Sequence, residues 1–198
     1  MSKALIDLIK KNFGAAVLET HSLYGDETVV VEAAAWREVA GFLRDNPACQ
    51  MDMLSDLTAV DFPEREPRFE IVAHFYSLSK GHRLRLKTRT GDEEGDDAEV
   101  DSLCEFWASA NWMEREVFDM FGVIFKNHPD LRRILMYPEF EGHPLRKDYP
   151  ADKIQPLIAY RDVPNIEKIA PFSVDEGMSF GRQTHTQSRH DTDDSSVN

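Results

Sequence analysis

Seven of the ten prolines of this chain fall between Pro129 and Pro171, one every six to nine residues. Each proline removes a backbone donor and obstructs the helical turn before it, so no long helix or central strand runs through that stretch. The stretch nevertheless keeps Leu131, Ile134, Leu135, Met136, Tyr137, Phe140, Leu145, Tyr149, Ile154, Leu157, Ile158, Tyr160 and Ile166. A disordered linker would be poorer in such side chains. An extended arm that buries them against something else fits better. The chain thus divides into an α+β domain over residues 1–125, a partner-binding arm over 126–175, and a polar tail over 176–198 that reads as disordered.

Ahead of the prolines the hydrophobic periods are regular. Ala4, Leu5, Leu8 and Ile9 recur at helical spacing, which predicts a helix over residues 2–12. Residues 17–23 and 28–32 read as strands joined by a Tyr24-Gly25-Asp26 turn. A second helix spans 34–45, with Trp36, Val39, Ala40 and Leu43 on one face, and Asn46-Pro47 stops it. A third strand lies within 51–62. A hairpin comes next, with Phe69, Ile71, Ala73 and Phe75 on one face of its first strand and Leu84 and Leu86 on one face of its second. The other face of that second strand carries Arg83, Arg85, Lys87 and Arg89, which the acid-rich run Asp92–Asp97 is placed to neutralise. Ser102 and Glu105 match a capping box opening a short helix to Ala110. A further helix runs from about Trp112 to Phe121, and Gly122 closes it. The order of elements implies an α+β, two-layer domain: a mixed, mostly antiparallel sheet with helices on one face.

A net charge of -13 argues against nucleic acid or an anionic membrane as the principal partner. No stretch approaches the roughly 20 apolar residues that span a bilayer, and the first residues show neither a signal-peptide nor a transit pattern. Cys49 and Cys104 are far apart, so both read as reduced packing residues. Two thiols do not supply the four ligands of an ordinary iron–sulfur cluster or an all-cysteine zinc site. Any redox centre served by this chain is expected elsewhere.

The chemistry concentrates in Glu114-Arg115-Glu116-Val117-Phe118-Asp119 and the thirty residues after it. On a helical wheel Met113, Val117, Met120 and Phe121 share the core face. Arg115, Glu116 and Asp119 gather around Trp112, and Glu114 sits at the edge of the apolar face. Paired carboxylates serve general acid–base chemistry, but no nucleophile, nucleotide loop or metal set accompanies them. Three readings stay open on residue chemistry: a protein interface with desolvated ion pairs, a solvated helix face, and a catalytic site. Interleaved aromatics make an odd solvated exterior, and arginine's planar fork suits interface pairing. His128, Asp130, Glu141 and His143 have ligand chemistry but no recognised metal spacing; the histidines read as hydrogen-bonded structural residues. Arg132 and Arg133, which open the arm, are expected to meet a partner's carboxylate or carbonyls and to leave their own domain's core untouched.

The run Glu114-Arg115-Glu116-x-x-Asp119-x-x-Gly122-x-x-Phe125-x-x-His128-Pro129-Asp130-Leu131-Arg132-Arg133-Ile134-Leu135 resembles the signature of the thirty-kilodalton, or C, subunit of respiratory complex I, the proton-pumping NADH:quinone oxidoreductase. A second block, Gly142-His143-Pro144-Leu145-Arg146-Lys147-Asp148-Tyr149-Pro150, is similar to that family's next hallmark. The resemblance covers roughly residues 1–150. It implies a subunit of the peripheral arm without cofactor, catalytic or metal residues of its own. FMN and iron–sulfur clusters would lie in other subunits. The implied partners are the large D-type (49 kDa) subunit that forms much of the quinone pocket and the ferredoxin-like iron–sulfur subunit. The implied place is the cytoplasmic side of the bacterial inner membrane. Partner contacts are then expected at Glu114, Arg115, Glu116, Asp119, His128, Asp130, Arg132, Arg133, His143, Arg146, Lys147 and Asp148. Alternatives are the equivalent subunit of a membrane-bound hydrogenase or formate hydrogenlyase complex, and a free-standing metal enzyme using His128, Asp130, Glu141 and His143.

Overall fold

In the computed structural model the described residues are 2–92, 95 and 97–158. The arm beyond residue 158 and the tail lie outside them. Among the described residues, three helices and seven strands run in the order α1 (Ser2–Phe13), β1 (Val17–Leu23), β2 (Asp26–Val31), α2 (Trp36–Asp45), β3 (Met53–Asp61), β4 (Phe69–Tyr76), β5 (Arg83–Thr90), β6 (Glu99–Asp101), α3 (Ala110–Phe121) and β7 (Ile124–Lys126). A single 3-10 turn, Ala33–Ala35, leads into α2.

The main sheet has the order β1-β2-β5-β4-β3. β2 and β5 run parallel; the other neighbours are antiparallel. The expected α+β class with a mixed sheet is therefore observed. The β1–β2 turn is tighter than expected: Tyr24 and Gly25 alone form it, both with positive φ, and Leu23 pairs with Asp26. Two left-handed residues match the right-handed twist of the strands they join, and glycine takes the second place without strain.

Register sets one face of the sheet. Ile71 opposes Thr88, Ala73 opposes Leu86, Phe75 opposes Leu84, and on the outer side Leu54, Leu57 and Ala59 face Phe75, Ala73 and Ile71. Onto these pack Leu5, Ile6 and Ile9 of α1, Trp36, Val39 and Leu43 of α2, and Val117, Met120 and Phe121 of α3. Each such large side chain, fully buried, contributes roughly 1.5–3 kcal/mol. The helices thus cover one face.

The opposite face carries the basic stripe of β5, compensated from neighbouring strands. Lys87 pairs with Glu70 at 2.7 Å, Arg89 with Glu19 at 3.1 Å and with Glu70 at 3.5 Å, and Arg85 with Asp26 at 3.6 Å. Opposite charges meet there from the adjacent strands β2 and β4 and, for Glu19, from β1 across β2.

Two expectations change. Residues 102–109 form turns. The Ser102 hydroxyl accepts from the Cys104 N–H and donates to Glu114, and Glu105 pairs with Arg37, so neither residue caps a helix. In addition β6 and β7 form a small parallel pair flanking α3. At three residues each they are too short to leave a periodic signal.

Candidate functional site

The helix α3 carries three charged side chains that the fold removes from water: Glu114 and Asp119 at 0% exposure and Arg115 at 8%. Each is engaged within the chain. Glu114 accepts from the Ser102 hydroxyl at 2.6 Å, the Leu103 N–H at 2.6 Å and the Cys104 thiol at 3.4 Å. It thereby holds the turn that leads into α3. Burial pushes its carboxyl above the ordinary value, against the pull of those donors. Burial also pushes the Cys104 thiol up to about 11, so it stays protonated and donates.

Asp119 holds the start of the arm. Its Oδ2 accepts the N–H groups of Ile134, Leu135 and Met136 at 3.1, 2.8 and 2.8 Å, and its Oδ1 accepts from Arg133 at 2.8 Å. Burial alone would raise its pKa. The N–H of Met136, the Arg133 guanidinium and the N–H groups of Leu135 and Ile134 reverse this and hold it below the ordinary value. Arg115 completes the joint by donating to the carbonyls of Arg132 and Arg133 at 3.1 and 3.2 Å. Arg133 also donates to the Gly142 carbonyl at 3.0 Å. The carboxylate that sequence reading sought for Arg133 in a partner is thus inside its own chain.

The end of α3 is closed by the second hallmark block. A helix leaves its last carbonyls without partners. Here His143 Nδ1 meets the Asp119 carbonyl at 2.9 Å, the Leu145 N–H donates to Met120 O at 3.1 Å, and Arg146 Nε donates to Phe121 O at 2.5 Å. Cationic Arg133 and Arg146 at this terminus also oppose the helix dipole. Burial lowers the pKa of His143, and the nearby arginines lower it further. The approach requires glycine at 122, whose φ is +83° and whose Cβ would stand 2.5 Å from Arg146 Nη2 and 2.7 Å from His143 Cδ2. Left-handed backbone costs an L-residue about 1–2 kcal/mol, before any loss of caps. Gly122→Ala is therefore expected to lower the melting temperature by about 5–10 °C, at roughly 2–4 °C per kcal/mol for a chain of this size, as read by thermal denaturation.

A second anchor lies at the edge of the sheet, and sequence reading missed it. Arg68, with its side chain 2% exposed, donates bidentately to Asp61 at 2.7 and 2.9 Å. Its other edge meets Asp148 at 3.0 and 3.1 Å. The Lys147 N–H donates to Asp61 at 2.7 Å, and Arg146 reaches the Gly95 carbonyl at 2.9 Å. Arg68 and Arg146 both lie 5.3 Å from the centre of the Phe69 ring. The hydrogen bond to Asp61 leads in raising the pKa of Arg68. One guanidinium between two carboxylates ties arm to sheet.

The remaining candidates lie outward. Glu116, Asp130, Arg132 and Lys147 are exposed, and Asp130 pairs with Arg132 at 3.0 Å. His128 is half-buried, with Nε2 against the Asn111 carbonyl at 3.2 Å and Nδ1 accepting the Asp130 N–H at 3.0 Å. Among the described residues, the grouping with metal-ligand spacing is Cys104, Glu114 and His128, whose ligand atoms lie within 4.8 Å of one another. Each already has a hydrogen-bond partner, and the cluster reads as a structural knot. Asp130, Glu141 and His143, joined to His128 in the metal-enzyme reading, are not in that grouping. Trp112, not counted as a candidate, is 62% exposed beneath the Arg115 guanidinium. Both cysteines are free.

Comparison with known proteins agrees with the signature. The family described as "Respiratory-chain NADH dehydrogenase, 30 Kd subunit" matches residues 29–155. The C subunit of NADH-quinone oxidoreductase from Parvibaculum lavamentivorans is 44% identical over 153 residues, covering 76% of this chain and 74% of that one. Its counterpart from Rhodobacter capsulatus is 42% identical over 174 residues, covering 82% and 85%. The counterpart from Caulobacter vibrioides is 50% identical over 131 residues, covering 66% and 64%. A chain in the structure of the membrane-bound sulfane sulfur reductase, an archaeal respiratory membrane complex, superimposes with a TM-score of 0.61 at 25% identity, covering 75% of this chain and 85% of that one. No described helix is long and apolar enough to cross a membrane. Signature, fold and relatives agree: the chain belongs to the family of the thirty-kilodalton subunit of respiratory-chain NADH dehydrogenase, the C subunit of complex I.

Proposed function

We propose that this chain is a non-catalytic structural subunit of the peripheral arm of NADH:quinone oxidoreductase. Electrons pass from NADH through FMN and iron–sulfur centres of other subunits to quinone, coupled to proton translocation. This chain holds its neighbours in position, on the cytoplasmic side of the membrane. Its neighbours on this reading are the D-type subunit of the quinone pocket and the ferredoxin-like iron–sulfur subunit. The observation that carries the reading is the use of the signature: Arg115, Asp119, Arg133, His143, Arg146 and Asp148 hold residues 128–150 against the domain, and Glu114 holds the turn that leads into α3. Residues locked in backbone contacts are suited to shape a rigid surface, not to move protons or electrons. Exposed Glu116, Asp130, Arg132 and Lys147 are left for partners.

The likeness to a chain of the sulfane sulfur reductase supports a second reading. There the chain serves a related membrane-bound complex, of the hydrogenase or formate hydrogenlyase kind, whose donor is not NADH. The relatives at 42–50% identity, all named for NADH-quinone oxidoreductase, favour the first. Purified alone, the chain is expected to show no visible absorbance and no stoichiometric flavin, iron or zinc by metal analysis and spectroscopy. A bound chromophore or metal would overturn the structural role. Membranes lacking the chain should lose NADH:quinone activity; retained activity would favour the second reading.

A further inference from the structure

We infer that Trp112 is the anchor of a docking surface whose occupant is another subunit of the same complex, one that presents an apolar slot with a lysine or arginine at its rim. The inference rests on the subunit reading above and deepens it. The chain's three tryptophans differ sharply: Trp36 is 0% exposed, Trp107 6% and Trp112 62%. A large ring exposed in the first turn of α3 is the residue type most enriched where interfaces concentrate their energy.

This ring is held ready. The Arg115 guanidinium lies 5.1 Å from its centre, and that guanidinium is fixed by the carbonyls of Arg132 and Arg133. The indole is therefore ordered before any partner arrives, which removes part of the entropy loss of binding. The Arg115 charge faces its own backbone, so it does not set the sign of the surface. Asp130 and Arg132 neutralise one another at 3.0 Å. That leaves Glu116, exposed and without an ion pair among the described residues, as the net local charge. On a chain of net charge -13, the complementary rim is basic.

The test uses the assembled complex in its native membrane, with a photo-crosslinking benzophenone amino acid at position 112 and with the variants Trp112→Ala, Trp112→Phe and Glu116→Arg. The expected results are a cross-link from position 112 to a single partner subunit, loss of assembled complex by about tenfold or more for Trp112→Ala, a smaller loss for Trp112→Phe, and a loss for Glu116→Arg that high salt makes no worse. Absence of a cross-link in fully assembled complex overturns the surface while leaving the subunit reading intact. So does normal assembly of Trp112→Ala. A wild-type chain that never enters such a complex overturns the underlying reading instead. A cross-link to lipid would replace the protein partner by the membrane as occupant and overturn the inference.

Discussion

Asp119→Ala is expected to lower the melting temperature of the purified chain by about 10 °C. The reason is the number of donors it leaves behind. Three consecutive N–H groups and the Arg133 guanidinium converge on this carboxylate, which is itself fully buried. Leaving a buried donor unsatisfied costs about 1–3 kcal/mol, and water at the half-buried arm recovers part of that. A loss of about 4 kcal/mol corresponds to roughly 8–16 °C in a domain of this size. Asp119→Asn keeps one oxygen acceptor and should fall between the two. The sign with pH comes from the lowered pKa. A carboxylate held below its ordinary value contributes stability above the unfolded pKa and loses it as pH falls through the folded value. The gap between wild type and Asp119→Asn should therefore be full at neutral pH and close progressively below about pH 4. A gap that widened on acidification would contradict the assignment.

Arg68→Ala should cost about 3–5 kcal/mol, because it removes the guanidinium paired bidentately with buried Asp61. Asp61 has a side-chain exposure of 0%, and the Lys147 N–H still donates to it in the variant. The paired substitution Arg68→Met with Asp61→Leu removes both charges together. Replacing a buried pair by apolar groups of similar volume is often neutral or stabilising. The double variant is thus expected to be more stable than Arg68→Ala, although it alters more atoms. Its residual loss measures the tie to Asp148, which is 55% exposed and contributes less. Chemical denaturation of the three proteins checks this; a double variant less stable than the single one would show that the site is held by shape and not by charge.

The parts of the fold legible in sequence were those with a local period. α3 and its glycine cap, the apolar faces of β4 and β5, and the amphipathic α1 and α2 appear where periodicity placed them. The wheel also grouped Arg115, Glu116 and Asp119 on one side, as the helix requires. It does not report what lies over that side. Residues 128–150 fold back on α3, so Asp119 and Arg115 become buried and Glu116 remains outside. Asp61 and Arg68 gave no signal at all, because what they tie down, the Lys147 N–H and the Asp148 carboxylate, lies 86 and 80 residues away in sequence, and each alone resembles an ordinary surface charge. The capping-box pattern at Ser102 failed for a similar reason: a carboxylate from the next helix takes the hydroxyl. Local rules read backbone geometry well and long-range polar pairing poorly.

On the proposed reading this chain supports catalysis by holding other subunits in place. The most direct measurement is NADH:quinone turnover per assembled complex across Gly122→Ala, Asp119→Ala, Arg68→Ala and Trp112→Ala, with assembly quantified independently by native gel. Total activity is expected to fall in proportion to assembled complex while turnover per complex stays at the wild-type value. Fully assembled complexes with abolished turnover would contradict it and place a catalytic group in this chain.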